Sequence, residues 1–145
     1  MNKYISIILA SLALAFVGCV GGIIAAQSVQ AVSETVSGNA IQNKLLTPAQ
    51  LSSLAGDLAA LPNTPLPSAD NVLIANFISE AINKKAADTT AASAVDGINN
   101  ALNAVIAGHA PTAADGIAWA NLQDAVLGMK AEGKLLAENP SLVPQ

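Results

Sequence analysis

The residues able to do chemistry are few and far apart. The 145-residue chain carries ten carboxylates, one histidine and one cysteine. Acid–base catalysis needs two titratable groups converging in one cleft. Asp70, Asp88 and Asp115 instead stand at predicted helix starts, where a carboxylate caps free N–H groups or opposes the helix dipole. Glu34, Asp57, Glu80, Asp96, Asp124, Glu132 and Glu138 fall on predicted polar faces. His109 lies in the loop Gly108-His109-Ala110-Pro111 with no second histidine to share a metal, and a metal site takes three or four ligands. No serine stands in a G-x-S-x-G turn, and no D-x-D-x-D-G calcium loop occurs. No enzyme activity, metal or cofactor is expected. Phe77, Trp119 and Met129 are lone large side chains among alanines. They suit core filling, with an apolar pocket or partner contact as the alternative.

The remaining reactive group, Cys19, sits in the stretch that sets the address of the chain. Lys3 is followed by an uncharged, mostly apolar run from Tyr4 to Ala26. Tyr4 to Ala15 has the length of the apolar core of an export signal, and Phe16-Val17-Gly18-Cys19 follows at once. This arrangement resembles a bacterial lipoprotein precursor, cut between Gly18 and Cys19, with lipid carried on Cys19. Phe16 departs from the leucine usual in that family. The resemblance ends within about the first 20 residues. It implies a signal peptide over 1–18 and a lipid anchor in the cell envelope. Val20, rather than aspartate, after the cysteine implies the outer membrane. Two alternatives stay open. Residues 4–26 are long enough for a retained inner-membrane span, with Lys3 cytoplasmic and Gly18 and Gly22 spaced as GxxxG. Ordinary cleavage near Ala26 is the other.

Composition narrows the partners. The chain is 52% hydrophobic and only 11% charged, with net charge −4. All six cations are lysines, so no guanidinium fork exists for phosphate or carboxylate. A nucleic-acid partner needs a basic face, and none is expected. One cysteine permits no internal disulfide. About 120 residues beyond the leader suffice for one modest core. Alanines bury little area each, so a homo-oligomer or an envelope protein partner is expected to add stability.

The elements read as an all-α, Ala-rich bundle of four to five helices behind the N-terminal signal or anchor helix. Residues 19–46 read as a tether or stalk helix, with Val29, Val32, Val36 and Ala40 at helical spacing. The bundle domain is expected over 47–139. Thr47-Pro48-Ala49-Gln50 is a capping box with proline at the first helical position, and Leu51, Leu54, Leu58 and Leu61 make its stripe. Pro62, Pro65 and Pro67 cannot continue it. Ser68 or Asp70 is expected to cap the next helix, through Leu73, Ile74, Phe77, Ile78, Ala81 and Ile82. Another follows from Asp88-Thr89-Thr90 to about Ala107, with Val95, Ile98, Leu102, Val105 and Ile106 inward and Gly108 closing it. The last begins at Thr112-Ala113-Ala114-Asp115 and ends at Asn139-Pro140, leaving a tail over 140–145. Short connections predict antiparallel neighbours. The functional expectation is a non-enzymatic envelope lipoprotein acting as a structural or interaction module. A single-span protein with an oligomerising helical domain, or a helical carrier of a small apolar ligand, are the alternatives.

Overall fold

A computed structural model describes residues 26–145, and among them the chain is all-helical with no strand. Five α-helices follow in order: α1 Val29–Gln42, α2 Pro48–Ala59, α3 Asp70–Ala87, α4 Ala92–Ile106 and α5 Ile117–Glu138. Single 3-10 turns at Thr89–Ala91, Ala113–Asp115 and Pro140–Leu142 link or end them. No helix of the described residues is long and apolar enough to cross a membrane. The expected signal or anchor, with Phe16, Val17, Gly18 and Cys19, lies outside the described residues.

Local chemistry accounts for most boundaries. The Thr47 hydroxyl accepts from the Gln50 N–H at 3.1 Å while the Gln50 side chain accepts from the Thr47 N–H at 2.9 Å, so α2 begins as its capping box dictates. Gly108 has φ +79° and closes α4. Its N–H donates to the Val105 carbonyl, and the His109 N–H donates to the Ala104 carbonyl at 2.8 Å, the paired bonds of a Schellman motif. Lys44, at φ 58°, plays the same part after α1. Asp88 caps the turn before α4, accepting from the Thr90 N–H and hydroxyl.

α1 is the centre of the bundle. Val32, Val36 and Ala40 are wholly buried, and the helix touches α3, α4 and α5. The packed unit thus starts at Val29 rather than at 47. Ser33, Ser37 and Gly38, weak helix formers by propensity, are the small residues of a close crossing. Ser33 donates to the Ala125 carbonyl at 2.6 Å, and Gln42 donates to the Leu142 carbonyl at 2.8 Å. α1 and α5 therefore run parallel. α3 opposes α1: Gln27 meets Asp88 and Thr90, Asn43 meets Glu80, and Asn76 meets the Leu45 carbonyl. α4 returns along α3, with Lys85 and Asp96 paired at 2.6 Å. α4 and α5 hence point the same way, and residues 107–116 cross back between them instead of making a short antiparallel turn.

Several sequence expectations change. α3 starts at Asp70 behind Ala69, with no side-chain cap. Neither Ser68 nor Asp70 caps it, because the Asp70 carboxyl turns inward and is 5% exposed. Glu80 is also buried, accepting from Asn43 at 3.0 Å. Ile106 and Ile82 sit at the surface rather than inward. α5 begins after Gly116, whose φ of +54° separates it from the Thr112/Asp115 capping box. The tail is tied down at Leu142 and at Gln145, whose carbonyl takes the Lys44 ammonium.

Candidate functional site

The bundle has two distinct ends. At one, residues 26–28 lead into α1 beside the end of α3 and the start of α4, where Gln27 bonds to Asp88 and Thr90. The other lies an α3 length away, about 27 Å for 18 residues at 1.5 Å each. There α2 and α4 end and α3 begins.

An open groove of about 520 Å³ occupies this far end. One wall is the connector after α2, with Leu61, Pro62, Pro65 and Leu66; the other is the end of α4 and its loop, with Val105, Ile106, Gly108 and Ala110. Ser68, Asn71 and His109 supply the polar groups. Each wall has a local cause. Prolines at 62, 65 and 67 fix φ: residues 60–64 make a turn in which the Asn63 and Thr64 N–H groups donate to the Ala60 carbonyl, and 65–67 run on without a regular element. The Schellman turn at Gly108 directs the 108–110 strand of chain across the end of α4. Leu61 and Val105 are buried floor, while Ile106 is 37% exposed because the groove leaves one of its faces uncovered.

Next to Asn71, outside the lining, the fold sets the Asp70 carboxyl close to Asp57. Burial raises the Asp70 pKa, and a hydrogen bond and charge from Asp57 raise it further. Its buried Oδ2 has no hydrogen-bond partner. Glu132, on α5, is raised by burial and then by the nearby charge of Glu34 on α1. Asp88 is the opposite case: the Thr90 hydroxyl and then the Lys84 ammonium at 2.9 Å hold its carboxyl well below the usual range. Thr112 does the same for Asp115 through its N–H and hydroxyl. Among the described residues no group of three or more His, Cys, Asp or Glu side chains is placed to hold a metal.

The sequence-named side chains fall elsewhere. Phe77 on α3 and Met129 on α5 are wholly buried in the core, and Trp119 packs half-buried against it. None of the three lines the groove. Cys19 and Gly18 lie outside the described residues. His109 is exposed on the groove rim. The sequence marked both walls as loops through their prolines and glycine, but only the topology brings residues 61–71 against 105–110. No protein-family model, curated protein or solved structure matches this chain.

Proposed function

We propose that this chain is a membrane-anchored, non-enzymatic envelope lipoprotein whose helical bundle is a binding module. The apolar N-terminal stretch, through lipid on Cys19, holds the chain at the outer membrane on its periplasmic face. The bundle presents its far-end groove away from that attachment. The observation that carries the reading is the polarity of the bundle: the chain leads into α1 at one end, and the 520 Å³ groove opens at the other. Grooves of this volume, mostly apolar with a few polar groups, are the usual form of a binding site.

Intact mass with N-terminal peptide mapping, on protein from a membrane fraction, tests the anchor. A chain beginning at Cys19 with added acyl mass is expected. A soluble, unmodified chain beginning near residue 27 overturns the anchored reading. A second reading, a single-span inner-membrane protein whose bundle oligomerises, is favoured by the outer face of α5. There Ile117, Leu127 and Leu135 are 80%, 50% and 42% exposed. It requires a chain starting at Met1, unmodified at Cys19, and a sedimentation coefficient above that of a monomer.

A further inference from the structure

We propose that the far-end groove takes a small, uncharged amphiphile: an aliphatic body of about six carbons carrying a hydrogen-bonding head such as an amide or alcohol. This rests on the reading of the groove as the binding element and names its ligand class. The argument is one of charge, shape and rigidity. Among the described residues, no Asp, Glu or Lys lines the groove, and the chain has no arginine. An ionised ligand group would meet no carboxylate or ammonium on the Leu61 and Val105 floor, where an unpaired charge is costly; the one titratable side chain of the lining, His109, stands on the exposed rim. Asp70 does not alter this. It follows Ala69 behind the lining, its carboxyl is 5% exposed, and it faces Asp57 instead of the groove.

The apolar surface from Leu61, Leu66, Val105 and Ile106 matches an aliphatic body. Ser68 and Asn71, both exposed, offer a hydroxyl and a carboxamide that donate and accept. Those two suit a neutral head that also does both. The proline-bound wall loses little freedom when a ligand is seated, so a small molecule is not opposed by the ordering of a loop.

The test uses the full chain in lipid nanodiscs with labelled Leu, Ile and Val methyl groups. Hexanamide, hexanoate and hexylamine are titrated separately and followed by methyl NMR. Hexanamide should give saturable shifts at Leu61, Leu66, Val105 and Ile106, with a Kd on the order of millimolar for so few atoms. Hexanoate and hexylamine should bind about tenfold more weakly. Ser68→Phe should abolish the hexanamide shifts. Asn71→Ala, which leaves the apolar walls intact, should weaken them severalfold. An ionised probe binding as tightly as hexanamide overturns the ligand class while leaving the groove a binding site. Absence of saturable shifts with all three probes overturns the binding reading itself. Shifts that persist unchanged in Ser68→Phe overturn the location.

Discussion

The α1–α5 crossing and the far-end groove are built from opposite materials. In the crossing, small residues remove the space between two helices. A Cβ on Gly128 would lie 2.6 Å from the Gln30 carbonyl oxygen, 2.6 Å from the Ser33 Cβ and 2.9 Å from the Glu34 nitrogen. In the groove, stiff proline connections hold two walls apart. The contrast separates two uses of residues that are poor helix or strand formers. In α1 and α5, serine and glycine give up propensity for close approach; in 61–69, proline gives up the helix for a standing gap. The first region specifies the fold, and the second leaves surface uncovered.

The largest expected effect comes from adding one methyl group to the crossing. Gly128→Ala should destabilise the protein by about 3 kcal/mol, at the upper end for overpacking, because two of the three atoms it meets are backbone and cannot rotate away. Gly56→Ala is the control. Gly56 also lies inside a helix, α2, but nothing stands within 4 Å of its added Cβ. That change should stabilise by about 0.5–1 kcal/mol through helix propensity alone. Chemical denaturation of both variants gives the two signs. Two losses of similar size would mean that the crossing is no tighter than an ordinary helix interior.

Acidity probes both regions together. Glu132 in the crossing, near Glu34, and Asp70 behind the groove, against Asp57, have raised pKa values. A carboxyl whose folded pKa is raised binds its proton more tightly in the native state. The native state is then penalised as pH climbs from the unfolded value, about 4, through the folded one. Lowering the pH from neutrality toward about 4 should therefore raise Tm. Asp88 works in the other direction. Its lowered pKa contributes stability that is present above about 4 and is lost below, so Tm should fall in stronger acid. Glu132→Gln and Asp70→Asn should each flatten that rise. A Tm that drops steadily from neutrality would remove both acid pairs as determinants.

Within the crossing, two buried serines differ by one bond. Ser33 donates to the Ala125 carbonyl at 2.6 Å, whereas the Ser37 hydroxyl is buried with no partner. Ser33→Ala should cost about 1 kcal/mol, the ordinary net worth of a hydrogen bond. Ser37→Ala should stabilise by about 1 kcal/mol by relieving an unsatisfied polar group. Equal effects in thermal melts would mean that size alone, and not bonding, selected serine at both positions.

How much of this was legible from sequence depends on the range of the interaction. The Thr47/Gln50 capping box, the Leu51–Leu54–Leu58 stripe and the Gly108 stop are set by neighbours within a few residues, and each appears in the fold as read. The place of α1 is not local. Val32, Val36 and Ala40 have helical spacing whether they face a core or a partner, and Ser33, Ser37 and Gly38 look like weakness until Gly128 is found opposite them. Asp70 misleads for the same reason. Its position suits a cap, but its carboxyl is buried at the start of α3, close to Asp57. The groove was hidden more deeply. Its two walls are separated by the whole of α3 and α4, and only the crossover through 107–116 decides which loops meet.

The smallest expected effect is also the sharpest test of the contrast. Ser68→Phe places a benzyl group on the exposed rim of the groove. The space is standing volume, so no backbone must move to admit the ring. Any apolar contact with Leu66 or Ile106 offsets the partial loss of ring hydration. The change in stability should stay within about 0.5 kcal/mol, as for surface positions free of special contacts. A phenyl ring tolerated at Ser68 beside a methyl refused at Gly128 would show that the two regions differ in free space rather than in side-chain polarity. A loss of about 2 kcal/mol or more at Ser68 would mean instead that the groove closes in solution. The proline connector would then be part of the packed core, and the division between a tight crossing and a standing gap would fail.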